Sequence, residues 1–364
     1  MTPLLGLLLL LPLARAFDCP AGSAAAGAKP PAGDSEWCEV TAPDGTKIKE
    51  GPAIEYYEGG NREGAGSYGK NQRQGEWTWW FENGQVERKG TYLNDKPHGA
   101  WENHYENGAL WYTGEYLVGK AHGHWVYYTQ DGAREAEGDF LNGAKYGEWI
   151  HYHPSGNIKA RGRYTTGLQD GNWTWWYDAG GKEREGAYRA GRMQGTWTFW
   201  FPDGRVDRQT TYLQNQPEGL ETIYFPDGTK ESEGTYKGGE KDGEWVFWYE
   251  GGVRQRLETW AGGQKTGHWV GWYPNGKKRF EGDLVAGVED GSWTHWHDNG
   301  QMKAQGSFAG GHPTGMWTTW HTSGQKASEG AYTDGERDGA WTYWNEDGTV
   351  RSVENWQKGV LLQP

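Results

Sequence analysis

The chain has 364 residues, of which 60 are Gly and 25 Trp against only 9 Phe, and its formal net charge is −13. Leu, Ile and Val, the usual material of a thick core, are scarce beyond the N-terminus, which excludes a two-layered globular domain. The acidic balance makes nucleic acid and anionic membrane surfaces poor electrostatic partners.

Residues 1–16, MTPLLGLLLLLPLARA, read as a secretory signal peptide. The apolar run Leu4 to Leu13 is too short to span a bilayer and ends in the small-x-small site Ala14-Arg15-Ala16. Cleavage there leaves Phe17 first and sends the protein outside the cell or to the periplasm and cell envelope, with no transmembrane segment; an uncleaved anchor is the competing reading. Residues 17–42 are rich in Ala, Gly and Pro and read as a flexible leader. Their two cysteines, Cys19 and Cys38, are expected to form a disulfide in an exported chain, two free thiols being the alternative.

From residue 43 to 364 the chain is a repeat array. A partial repeat, PDGTKIKEG at 43–51, precedes thirteen repeats of 24 residues that begin at Gly51, Gly75, Gly99 and so on to Gly339. With each of these glycines as position 0, position 2 is Trp in eleven repeats, Ala53 and Glu221 being the exceptions. Position 5 is Trp or Tyr everywhere but His104, and position 9 is always Gly, usually after Asn, Asp or Ser. Asn-Gly or Asp-Gly between aromatic and β-branched residues predicts a hairpin with a two-residue type I′ turn at positions 8 and 9. A second turn falls at position 20, where Gly, Asn71, Asp95 or Asn215 tolerates the left-handed region.

A two-residue turn at 8 and 9 pairs positions that sum to 17. Trp at position 2 then faces position 15, Gly in ten repeats, and the indole is expected to cover that glycine. Alternation places positions 2, 4, 6, 11, 13, 15 and 17 on one face. Where position 15 is Glu258 or Glu354, position 17 becomes Trp260 or Trp356, as though the ring moves to cover the same area.

The pattern G-x-W-x-x-[WY]-[FYH]-x-[ND]-G-x-x-x-x-E-G-x-Y-x-x-G, as in GNWTWWYDAGGKEREGAYRAGRMQ at 171–194, resembles the bacterial variant of the MORN repeat, often found in proteins described as toxin–antitoxin antitoxins. The resemblance spans residues 51–364. It implies one β-hairpin per repeat, stacked into an all-β, elongated, single-layer antiparallel meander, and it implies scaffolding, dimerisation, lipid contact or toxin neutralisation as functions. Twenty-six strands at ~4.8 Å apiece amount to a ribbon of roughly 120 Å before twist shortens it.

No phosphate loop, nucleophile elbow, HExxH or paired metal-type cysteines occur, and carboxylates recur once per repeat at Glu137, Glu185, Glu233, Glu281 and Glu329. An enzyme is not expected, since a regular repeat offers no asymmetric pocket. His151 with His153, and His295 with His297 and His321, are the best metal candidates. Positions 4 and 6 are aromatic in sister repeats, so these histidines are read as flat substitutes for Tyr or Phe, and no metal or cofactor is expected.

The strongest binding candidates lie at position 5: Trp80, Trp176, Trp200, Trp248, Trp272, Trp296, Trp320 and Trp344. They fall on the face opposite the Trp/Gly pairs, beside Thr at position 3 and charged residues at 12 and 14. Such a ladder suits a partner's apolar edge or sugar stacking; the competing reading is that the rings merely cover the second face of the sheet. The expected function is that of an exported, non-catalytic protein-binding or scaffolding module, with a glycan-binding ribbon or an antitoxin-like, toxin-blocking protein as alternatives. The partner is a protein or a neutral or cationic polymer, and the oligomeric state is open.

Overall fold

The computed structural model describes residues 17–362; the signal-peptide reading of residues 1–16 lies outside them. No helix occurs among the described residues, and within each unit the strands pair antiparallel with their neighbours in the chain, so the fold is an all-β meander of hairpins. The chain divides into two compact units, residues 1–169 and 170–364.

The first unit opens with β1 (Ala24–Ala28), β2 (Ser35–Thr41) and β3 (Lys47–Tyr56), in which β1 pairs with β2 and β2 with β3. Residues 17–42 are therefore not a flexible leader. Low-complexity composition misled because the segment is ordered by cross-strand pairing and by the disulfide Cys19–Cys38, with Cα atoms 5.4 Å apart and Cys38 fully buried. The meander then continues in hairpins from Arg62–Gly69 to Ile158–Thr165. The second unit repeats the same hairpins to Val350–Gln357 and the short strand Val360–Leu361.

The second turn has its left-handed residue at position 20 as expected, whereas the first turn is not of type I′. At the first, the Gly84 N–H donates to the Phe81 carbonyl and the Phe81 N–H to the Gln85 carbonyl, both at 2.8 Å, so three residues close the hairpin. Gly84 is left-handed at φ 85° while Asn83 is not, the geometry of a type I turn followed by one left-handed residue rather than type I′. Asn is there for its side chain. Asn83 Oδ1 accepts the Gln85 N–H at 2.9 Å, and Nδ2 donates to the Glu106 carbonyl in the turn of the following repeat, also at 2.9 Å. Asn107, Asn275 and Asn299 make the same link to Gln130, Asp298 and Thr322.

Type I′ geometry occurs instead at the second turn. Asn94 and Asp95 are both left-handed (φ 51° and 62°) between the paired residues Leu93 and Lys96. The same holds for Val118-Gly119 and Thr166-Gly167, where a β-branched residue sits at φ near 50°. Position 0 needs glycine for a third reason. Gly138 pairs with Trp149 while Asp139 pairs with Tyr146, leaving Gly147 and Glu148 as a bulge with Gly147 at φ 70°.

A second irregularity corrects the assignment of faces. Trp79 pairs with Arg88 but Trp80 with Val86, so Glu87 is an extra residue and position 11 lies opposite position 5 instead of joining the Trp/Gly face.

The core is the indole face. Trp77, Trp149, Trp173, Trp197 and Trp245 are fully buried although the sheet is one layer thick, because rings cover rings. Trp79 stands between Trp77 and Trp101, with centroids at 5.5 and 6.0 Å in stacked geometry, and Tyr92 meets Trp101 edge-on at 5.2 Å. Cations close the stack from outside: the Arg88 guanidinium lies 4.4 Å from the Trp79 ring, and Lys145 Nζ 3.9 Å from Trp149.

Trp77 does pair with Gly90 across its own hairpin, as expected, but its ring does not cover that glycine. A Cβ on Gly90 would fall 2.2 Å from the ring of Trp101, in the following repeat, whose Nε1 donates to the Thr91 carbonyl at 3.1 Å. Within each unit the indoles therefore reach back over the preceding repeat and bind it, as Trp125 does at Gly114 and Trp293 at Gly282.

Position 15 departs from Gly where that arrangement demands it. Thr210 stands where Gly is usual, and the Trp that would have covered it is Glu221; the Thr210 hydroxyl donates to Glu221 Oε2 at 2.8 Å in a buried pair. At Glu258 and Glu354 the rings of Trp260 and Trp356 lie beside the carboxylate that stands at position 15. Their Nε1 atoms donate to the carboxylates, at 3.1 and 3.2 Å.

Candidate functional face

The position-5 rings are all half-buried on the face opposite the stack. Trp80 belongs to the first unit, whereas Trp176, Trp200, Trp248, Trp272, Trp296, Trp320 and Trp344 belong to the second, so the eight residues divide between two units. Their backbones are held by position 6. Tyr57, Tyr177 and Tyr273 donate their hydroxyls to the carbonyls of Trp80, Trp200 and Trp296 at 2.7–2.8 Å.

Around these rings the second unit carries a row of ion pairs. Lys182 Nζ lies 2.6 Å from Glu185 and 5.3 Å from the centre of the Trp200 ring. Lys230–Glu233 stands against Trp248, Lys278–Glu281 against Trp296 and Lys326–Glu329 against Trp344, at ring distances of 5.7, 5.5 and 5.8 Å. The same lysines pair across the hairpin with Trp176, Tyr224, Trp272 and Trp320. Hydrogen bonding from Lys326, opposed by partial desolvation, holds the Glu329 carboxyl below its ordinary pKa.

These lysines were absent from the sequence reading, which placed charges at positions 12 and 14. Position 14 holds, but the bulge moves position 11 onto this face in place of 12. A signal was present: Lys-x-x-Glu recurs every 48 residues, at 182, 230, 278 and 326. In the first unit the corresponding face carries an open trough of about 480 Å3, bordered by Glu76, Lys89, Glu102, Glu115 and His124.

The histidines occupy aromatic positions. His295 stacks on Trp293 at 6.1 Å and His151 lies tilted against Trp149 at 6.3 Å; burial lowers the pKa of both. His297 and His321 take the role of the position-6 tyrosines, donating from Nε2 to the carbonyls of Trp320 and Trp344 at 2.9 and 3.0 Å. Among the described residues no group of three or more His, Cys, Asp or Glu side chains is placed to hold a metal ion.

No curated protein matches the chain. Among solved structures, TcdB2-TccC3-Cdc42 matches at 10% identity over 89% of this chain and 24% of that one, with a TM-score of 0.16. The Photorhabdus luminescens Tc holotoxin pore matches at 10% identity over 88% and 21%, with a TM-score of 0.15. The chain thus spans about a quarter of the length of the solved chains it matches. The family described as MORN repeat variant matches at residues 73–94, 97–117, 145–165, 217–237 and 289–309, each one a hairpin of the 24-residue array. At these five places the chain carries repeats that match the MORN repeat variant.

Proposed function

We propose that the protein is an exported, non-catalytic binding module that engages a protein partner along the position-5 face of its second unit. The observation that carries this reading is the row of Lys–Glu pairs set against Trp200, Trp248, Trp296 and Trp344. Each unit of the row combines a half-buried ring with one donor group and one acceptor group, and successive units lie four strands apart, roughly 19 Å. An extended partner touching several units gains affinity from each, which a single small ligand cannot do. Export is supported by the signal-type leader and by the Cys19–Cys38 disulfide. Toxin neutralisation by contact is one form such binding takes.

A neutral glycan is the second reading, favoured by rings flanked with Lys, Glu and Thr groups that bond hydroxyls. The test captures partners from envelope extract with the mature chain and with Trp200, Trp248, Trp296 and Trp344 replaced by His, the residue found at position 5 in His104, while tryptophan emission is titrated with glycan oligomers. Stepwise loss of a captured protein supports the first reading, and saturable emission shifts with glycan alone support the second. Capture unchanged by the four replacements, with no response to glycan, removes both.

A further inference from the structure

Positions 17 and 22 pair across the second turn on the indole face, as Tyr236 does with Lys241, Trp260 with Lys265 and Tyr332 with Arg337. The cation then lies over the indole four residues on, 3.9 Å from the Trp245 ring centre, 4.8 Å from Trp269 and 4.4 Å from Trp341. Repeat 267–290 breaks this rule at both places. Position 17 is aromatic in every other repeat and is Leu284 here, position 22 is acidic in no other repeat and is Glu289 here, and the two face each other.

Trp293, four residues after Glu289, is the indole that loses its cap. Among the described residues no Lys or Arg stands within cation–π distance of it, and it is 5% exposed where Trp245, under Lys241, is 1%. Phe280 and His295 stack on it at 6.1 Å each, and Phe280 is seated over Gly271, where a Cβ would fall 2.3 Å from the Phe280 ring. Together with Trp269, Leu284 and Glu289 these three rings border an open cavity of about 480 Å3. Glu289 is half-buried there and makes no side-chain hydrogen bond or ion pair among the described residues. Lys265, on the rim, lies over Trp269 and Trp260, at 4.8 and 5.7 Å, and leaves Trp293 bare.

We propose that this cavity binds an organic cation, an ammonium group on an apolar body, with the charge between the Trp293 ring and the Glu289 carboxylate and the body against Leu284 and Phe280. Lys241 over Trp245 shows the place a cation takes on such a ring, and Glu289 adds a countercharge that no other repeat has at this position. The carboxylate repels an anion, and a neutral apolar ligand would cover it without a partner. The site lies on the face opposite the position-5 row and stands apart from the function proposed for that row. The same chemistry has two sources, a free amine and a lysine side chain of a partner segment.

The test measures binding of phenethylamine, of an acetylated, amidated Gly-Lys-Gly peptide and of phenethyl alcohol, which has the ring without the charge, to the whole chain by calorimetry and saturation-transfer NMR. The comparison protein is Leu284→Phe/Glu289→Lys, which restores the aromatic–cation pair of the sister repeats; its thermal melt checks folding. The expected result is saturable binding of at least one cationic probe to the native chain, about tenfold weaker in the double variant and in Glu289→Gln. Which cation binds identifies the source. Glu289→Gln keeps the size of the side chain, so it decides the matter should the double variant melt early. Absence of saturable binding by both cations, binding undiminished by Glu289→Gln, or saturable binding of phenethyl alcohol as tight as that of the cations overturns the proposal.

Discussion

The indole of Trp101 covers Gly90 of the preceding repeat and donates its N–H to the Thr91 carbonyl at 3.1 Å. This one relationship couples ring stacking, backbone satisfaction and repeat-to-repeat adhesion. Trp101→Ala is expected to cost about 3–5 kcal/mol, from lost burial together with an orphaned carbonyl, and to loosen Val86–Leu93 as well as its own strand. Hydrogen exchange resolved by segment, alongside urea melts, checks both the size and the spread of the effect.

The turn ladder separates into two hydrogen bonds. Asn299 accepts from the Gln301 N–H at 2.9 Å and donates to the Thr322 carbonyl at 2.7 Å. Asn299→Asp keeps the first and loses the second, and is expected to cost about 1 kcal/mol; Asn299→Ala loses both and costs about twice that. Thermal midpoints of the two variants should fall in that order.

Relief of backbone strain runs the other way. Val118 is 46% exposed and sits at φ 49° in a type I′ turn, a conformation unfavourable for a β-branched residue. Val118→Asn is expected to stabilise the first unit by about 1 kcal/mol, read as a raised melting midpoint.

Burial sets a pH dependence at His295. Its folded pKa lies below the ordinary value of 6.5, first because the ring is desolvated and then because Lys303 and Arg279 are near. As pH falls below about 6.5, the unfolded chain binds a proton that the folded chain resists, so the ring's contribution to stability declines through that window. His295→Phe keeps the stack on Trp293 and removes the titration. Urea midpoints at pH 7.5 and 5.5 should differ less for His295→Phe than for the native chain.

Much of this architecture was legible in the sequence. Period, the two strands of each repeat and the Trp/Gly pairing followed from glycines 24 residues apart, because backbone angle and ring cover leave few substitutes at those positions; the strands Ala24–Ala28, Ser35–Thr41 and Val360–Leu361 lie outside that period. The turn types did not. Asn83-Gly84 reads as type I′, but the Asn is spent on side-chain bonds to Gln85 and Glu106, while the true type I′ turns include Val118 and Thr166, which carry no turn signal. Ring direction was hidden in a correlation eleven residues long: Thr210 and Glu221 depart from the pattern together because ring and glycine belong to successive repeats. Lys182 and its equivalents were missed because a bulge at Trp176 shifts position 11 to the other face.

The claim that the indoles of each unit bind the preceding repeat meets its most direct test in double-mutant cycles at Gly282. A Cβ there lies 2.2 Å from the ring of Trp293, whereas Trp269 is the residue paired with Gly282 across its own hairpin. Gly282→Ala is combined with Trp293→Leu in one cycle and with Trp269→Leu in the other. The predicted result is a coupling of about 1–3 kcal/mol with Trp293, because removing the ring relieves the clash, and additivity within about 0.5 kcal/mol for Trp269. Coupling to Trp269 with additivity at Trp293 would place the covering ring within the hairpin and contradict the account.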